Sequence, residues 1–357
     1  MGDQLRVVVM NSFNHDYASA FRASLARLGL QADVIDLPNI ELADLTPGKV
    51  RHIRHLLTPS APEQIVIFCP GIMEMFIDGP HHSVHFSGYR AWHDDRSGSV
   101  LPHPWSVHAA PPRAAIAWTE KPALRAGFMG SIYDDAALVR LGRRLPRLVK
   151  RWLLTGRYLR HARMTACAYA SGLPVRFALA FPRVEALEAL ERQAADQEDF
   201  DVRIIGTGGF TGLPDAKARY VDEMIASTYV LCPRGSENFS FRVYEAFLYG
   251  RVPVIIDTDM VLPPQIPWRD LALIIPYDGL DGIAQSIRDD YERTDAARFI
   301  ARQRAALDLM QELGTGYWLD DALGGIVRMR RAARETTSAG RLRPLSTVGS
   351  IGGCDHD

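Results

Sequence analysis

Residues 229–257, YVLCPRGSENFSFRVYEAFLYGRVPVIID, hold the side chains best suited to chemistry on an anionic substrate. The stretch reads as a strand, a loop containing Gly235, a helix over 241–249 capped by Ser240, a stop at Gly250 and a buried strand over 252–256. A helix that opens just beyond the carboxyl end of a strand presents free N–H groups and the positive end of its dipole, which suits a diphosphate. Arg234 and Arg242 add fixed charge in a planar fork that can grip phosphate oxygens in pairs. Glu245 lies three residues after Arg242 on the same helix face, where a carboxylate could accept both hydroxyls of a ribose. Spacing alone favours a plainer reading, in which Arg242 and Glu245 are a surface ion pair and Ser240 is only a cap.

Two further constellations invite a metal. Asp257-Thr258-Asp259 is a D-x-D at a strand end, but it sits in a chain with two strand–helix series and without the context a cation site needs, so coincidence is the better reading. His81, His82 and His85, with His93, Asp94 and Asp95 nearby, stand among prolines and glycines with no helical frame to hold a rigid ligand set. No metal site is expected. The four cysteines, Cys69, Cys167, Cys232 and Cys354, are far apart and suggest neither zinc nor a disulfide framework, which fits a reducing cytoplasm.

The elements that must carry these residues alternate β and α. Residues 6–10 form a β-branched run, 17–28 have helical spacing and stop at Gly29, and 32–37 and 64–69 read as strands closed by Pro38 and Pro70. That is a Rossmann-like lobe with a parallel sheet. Residues 71–112, rich in His, Gly, Pro and aromatics, read as long loops. A second series starts near Arg125: strand 125–129, a Gly130-Ser131 turn, a helix from Asp134, strand 175–181, helix 184–194, strand 202–205, helix 216–226 and strand 229–231, then the stretch already described and a helix over 280–293. The expected units are 1–117, 118–335 and a tail over 336–357 whose Ser, Gly, Arg and Thr cannot build a core.

With 357 residues there is chain enough for two full cores. Forty-one Lys plus Arg against 42 Asp plus Glu leave no global field to attract nucleic acid. No signal peptide and no long apolar run is visible, so the chain is expected to be soluble or at most peripheral. One local exception is the basic stretch from Arg140 to Arg163, with Arg143, Arg144, Arg147, Lys150 and Arg151. Leu145, Leu148, Trp152 and Leu153 recur near helical spacing and are expected to pack inward, leaving a solvated basic face or a dock for a membrane or a lipid-linked acceptor.

Cys232 to Gly235, Ser240 to Ala246 and Gly250 to Ile255 read C-P-R-G, S-F-R-x-x-E-A and G-x-x-P-V-I, and in this they resemble the exostosin family of glycosyltransferases. Leu262-Pro263 and Ile266-Pro267-Trp268 continue the likeness, and Trp118 to Lys121 ahead of Phe128 to Ser131 is similar to the family's lead into its second domain. It is strong over 224–275, moderate back to Trp118 and weak over 1–117, and it departs at Pro267 and in the loop holding Glu237 and Asn238.

The resemblance implies an α/β GT-B architecture of two Rossmann-like domains facing across a cleft. It implies a nucleotide-sugar donor in the second domain at Gly130, Ser131, Arg234, Gly235, Ser240, Arg242 and Glu245, a glycan or lipid-linked acceptor on the first, and inverting transfer without an obligatory metal or other cofactor. Inversion calls for a base on the acceptor side. Glu74 and Asp16, then His15, follow strand ends of the first lobe and are the candidates. Work in bacterial surface polysaccharide assembly is the expected setting. A nucleotide-sugar epimerase of similar shape and a non-catalytic glycan-binding protein are the rival readings, separated by donor consumption without acceptor and by donor affinity.

Overall fold

The computed structural model describes residues 6–11, 17–36, 64–68, 81–86, 88–90, 93, 98–102, 114–132, 137–154, 180–207, 214–235 and 238–341. They form two five-stranded sheets in which every pair of strands is parallel. The first contains β1 (Arg6–Asn11), β2 (Ala32–Asp36), β3 (Gln64–Phe68), β4 (His81–His85) and β5 (Gly98–Val100) in the order β2-β1-β3-β4-β5. The second contains β6 (Arg125–Ser131), β7 (Asp201–Thr207), β8 (Tyr229–Cys232), β9 (Val252–Asp257) and β10 (Leu273–Pro276), ordered β7-β6-β8-β9-β10. Each sheet thus runs second-first-third-fourth-fifth, the doubly wound order in which the direction of winding reverses between the first and third strands. Ligands of such sheets bind outside the carboxyl ends of those two strands, here β1/β3 and β6/β8.

The helices are α1 (Tyr17–Arg27), α2 (Ala137–Arg144), α3 (Arg147–Leu154), α4 (Phe181–Ala194), α5 (Pro214–Ala226), α6 (Arg242–Leu248), α7 (Trp268–Leu271), α8 (Ile283–Arg293), α9 (Ala296–Thr315) and α10 (Tyr317–Arg341), with a 3-10 turn over Tyr277–Gly282. The central strands β8 and β9 read YVLC and VPVIID because both of their faces are covered: Tyr229, Leu231, Val254 and Ile256 enter one core and Val230, Cys232 and Ile255 the other. Gly250, at φ 64°, is the left-handed residue between α6 and β9, and a Cβ there would stand 2.5 Å from Gln303 Cγ. α9 is capped by Asp295, whose carboxylate accepts from Arg298 N at 2.8 Å, and it stops at Gly316 with φ 75°.

Three expectations are corrected. Residues 71–112 are not only loops, since β4 and β5 extend the first sheet. Their polar residues concealed them: His82, Ser83 and His85 are buried, and His82 Nε2 lies 2.9 Å from Ser99 Oγ across the strand pair. Second, α10 does not stay with the second unit. Leu319, Leu323, Ile326 and Val327 pack with Val7, Phe21, Leu25 and Phe86 in the core of the first sheet, and Arg27 grips Asp320 bidentately at 2.6 and 2.8 Å. The helix also continues past Thr336 to Arg341. Third, the helix expected from 184 opens at Phe181, where Pro182 occupies the first turn. The rest of the strand expected over 175–181, up to residue 179, lies outside the described residues, as does the tail from 342.

Candidate functional site

At the second switch point, β6 ends in Met129, Gly130 and Ser131, and β8 runs through Cys232 into Pro233, Arg234 and Gly235. Arg183, in the first turn of α4, ties the two ends together. Its Nη1 donates to the Ser131 carbonyl at 2.8 Å and its Nε to the Arg234 carbonyl at 3.1 Å. Sequence reasoning missed Arg183, because nothing near it in the chain marks it.

Arg242 reaches the same place from α6. Its Nη2 donates to the Met129 carbonyl at 2.8 Å, and its guanidinium carbon stands 4.3 Å from the Phe128 ring centroid and 5.8 Å from that of Tyr220. A Cβ at position 130 would lie 2.5 Å from Arg242 Nη2, so a larger residue than Gly130 would displace the tip of that side chain. Glu245, one turn on, accepts a hydrogen bond from the Tyr220 hydroxyl of α5. Burial pushes the Glu245 carboxyl above the ordinary glutamate range, while the Tyr220 hydrogen bond and the Arg242 charge pull it back. Burial, and then the Glu245 charge, raise the Tyr220 phenol, so it stays a neutral donor. Cys232 is also raised by burial and its thiol remains protonated, which makes it a packing residue of the C-P-R-G run.

Arg234 is fully buried. Its Nη2 donates to the Tyr89 hydroxyl at 2.8 Å, with the guanidinium carbon 5.5 Å from that ring's centroid. Tyr89 belongs to the loop after β4, so the first unit contributes directly to the neighbourhood of Arg234. Around this contact the two units are sewn together. Tyr89 and Met260 form an antiparallel bridge, Arg90 N donates to Asp259 O at 2.9 Å and Val261 N to Gly88 O at 3.1 Å. Asn238 Nδ2 adds bonds to Gly88 O at 3.0 Å and Thr258 O at 3.2 Å.

The D-x-D lies in this seam. Asp257 holds Arg90 bidentately at 3.0 and 3.1 Å and also accepts from Met260 N, while Asp259, in the left-handed region at φ 67°, stands 3.5 Å from Arg90 Nε. Both carboxylates therefore face a guanidinium. Among the described residues no cluster of His, Cys, Asp and Glu could hold a metal ion.

The expected donor residues Gly130, Ser131, Arg234, Gly235, Arg242 and Glu245 converge on the β6/β8 ends. Ser240 stands at the entry to α6. Phe241 occupies the cap position with helical dihedrals and no side-chain cap bond forms; Ser240 contributes its carbonyl, which accepts from Val243 N at 3.2 Å. His15, Asp16 and Glu74 lie outside the described residues, although β1 and β3, which precede them, flank the first switch point.

Two Rossmann-like parallel sheets, each with its switch point, place the chain in the doubly wound α/β class. Within it, residues 183–287 match the Exostosin GT47 domain. The probable glucuronosyltransferase GUT1 of Oryza sativa subsp. japonica is 38% identical over 78 residues, 20% of this chain and 19% of that protein. The probable beta-1,4-xylosyltransferase IRX10L of Arabidopsis thaliana is 40% identical over 75 residues, 19% of this chain and 18% of that protein. The chain thus spans about a fifth of the length of the curated relatives it matches. Among solved structures, a sucrose-phosphate synthase from Thermosynechococcus elongatus aligns with a TM-score of 0.40 at 12% identity, over 92% of this chain and 100% of that one.

Proposed function

We propose that this chain is a glycosyltransferase that holds the diphosphate of a nucleotide sugar at the β6/β8 ends and passes the sugar, with inversion, to a hydroxyl of a glycan or lipid-linked acceptor. The observation that carries this reading is the convergence of Arg234, Arg242 and Glu245 on one switch point inside the segment that matches the Exostosin GT47 domain. In the transfer, the acceptor oxygen attacks the anomeric carbon as the bond from that carbon to the diphosphate breaks. Charge grows on the leaving diphosphate, where Arg234 and Arg242 meet it after giving up the Tyr89 hydroxyl and the Met129 carbonyl. The hydroxyl proton passes to a base on the first unit, for which Glu74 and Asp16, then His15, remain the candidates. Bacterial surface polysaccharide assembly in the cytoplasm is the setting proposed. Among the described residues no helix is long and apolar enough to cross a membrane.

Thermal unfolding in the presence of UDP, GDP, CMP and dTDP tests the reading. A ligand at about 100 times its Kd stabilises the native state by about 2.7 kcal/mol, so the right nucleotide should raise Tm clearly. No shift with any of the four would sink the proposal. Glu245 adds a pH signature. Its raised pKa means that its contribution to stability is present in acid and lost as pH rises through the folded value. Nucleotide binding has the opposite sense, because ribose hydroxyls need the carboxylate. Affinity should fall on acidification at a higher pH than an ordinary glutamate gives, and Glu245→Gln should flatten that profile. A profile unchanged by the substitution would remove Glu245 from the site.

Turnover is also expected to survive chelation, since Asp257 and Asp259 are engaged by Arg90. Transfer abolished by EDTA, restored by Mn²⁺ and lost again in Asp259→Ala would overturn that expectation.

A further inference from the structure

α2 and α3 leave several apolar side chains outward: of the four expected to pack inward, Leu145 and Leu153 are half-buried, but Leu148 and Trp152 are exposed. Leu148 is 81% exposed, Leu141 57%, Trp152 47% and Val149 38%. What the two helices bury is Val139 and Leu154, which join Phe181 and Val184 in a small separate core. Leu148, Val149 and Trp152 stand at i, i+1 and i+4 of α3 and so crowd one side of that helix.

The charges carried by α2 and α3 themselves are of one sign. Residues 139–182 contain no Asp or Glu. The carboxylates that face these helices come from α4 and the 3-10 turn, and they are taken up locally: Glu188 by Arg143, Glu185 by Lys150, and Asp278 and Asp281 by Arg147, with Arg151 3.6 Å from Asp278. Arg140 and Arg144 are exposed, and among the described residues neither has a carboxylate within ion-pair distance. Projecting Leu and Trp side chains on a pair of helices that also carries exposed arginines are what an interfacial segment needs, because the ring and the aliphatic groups enter the headgroup boundary while the cations meet lipid phosphates.

We propose that the α2–α3 segment docks this protein on an anionic lipid surface, with Leu148, Val149 and Trp152 inserted and Arg140 and Arg144 on the headgroups. An anionic bilayer complements both features at once, since it offers dense negative charge immediately above an apolar layer. The inference does not rest on the glycosyltransferase reading.

The test is sedimentation of the full chain with phosphatidylcholine vesicles, with and without phosphatidylglycerol, at low and high salt. Wild-type protein should pellet with the anionic vesicles at low salt, less at high salt, and stay in solution with phosphatidylcholine alone. Arg140→Ala/Arg144→Ala should lower partitioning roughly 30-fold, about fivefold for each charge. Leu148→Asp should also abolish pelleting, and since that side chain is 81% exposed its Tm should match wild type. Three results overturn the proposal: no wild-type binding at low salt, binding unaltered by both variants, or a concentration-dependent dimer in sedimentation velocity that Leu148→Asp dissolves while vesicles pellet nothing. The last would assign the face to a second copy of the chain.

Discussion

Arg234→Met is expected to weaken nucleoside diphosphate binding by about 1.5 to 3 kcal/mol, roughly 10- to 150-fold, with the fold preserved. Arg234 is the largest fully buried side chain among the described residues, so alanine would leave a cavity and mix lost packing with lost charge. Methionine keeps an unbranched stem of similar reach and removes only the guanidinium. The comparison variant is Tyr89→Phe. In the structure the Tyr89 hydroxyl occupies an Arg234 N–H at 2.8 Å, and a diphosphate oxygen would have to take its place. Removing that hydroxyl should leave affinity unchanged or raise it, while the ring still covers the guanidinium. Titration calorimetry on the two variants separates the roles. Wild-type affinity in Arg234→Met would mean that this arginine only locks the two units together.

The largest effect on stability is expected at Phe299. This α9 side chain is fully buried and meets three rings, Trp118 at 5.8 Å, Tyr229 at 6.3 Å and Tyr291 at 5.7 Å between centroids. Trp118 is fastened at the same spot, its N–H donating to Gln303 Oε1 at 2.7 Å, and Arg251 crosses its ring at 4.8 Å. The cluster therefore clamps the segment that leads into β6, the strand that delivers Met129, Gly130 and Ser131. Phe299→Ala should cost about 3 to 5 kcal/mol, lowering Tm on the order of 10 °C. Because the rings touch one another, Trp118→Ala should not add its full effect on top. A loss below about 1 kcal/mol in chemical denaturation would show that the remaining rings close the cavity.

What the sequence by itself determined is mostly local. The β-branched runs 6–10, 64–69 and 252–256 and the helical spacing of 17–28 are where strands and helices form, because strands buried on both faces and helices with one apolar face must be written that way. Arg242 and Glu245 were legible as a pair for the same reason, since three residues of helix bring any two side chains together. Gly130 could be chosen only through resemblance, and the structure supplies the physical reason: a Cβ there would meet Arg242 Nη2 at 2.5 Å. Arg234 was legible as a loop cation, and the structure adds the Tyr89 ring beside it.

Only the tertiary structure decided the partners of these groups, which lie far along the chain. Arg183 meets Ser131 and Arg234 from 52 and 51 residues away, Tyr89 meets Arg234 from 145, and Arg90 meets Asp257 from 167. Polar side chains of this kind carry no periodic signal, and their burial is possible only where a distant carbonyl, hydroxyl or carboxylate satisfies them. The same holds for β4, whose histidines hid a buried strand, and for α10, whose apolar stripe does not say which sheet it covers. It holds in reverse for Leu148, whose helical spacing suggests a core face but whose neighbours leave it in solvent. Periodicity identifies the side of an element that is apolar, and the packing of the whole chain decides what that side meets.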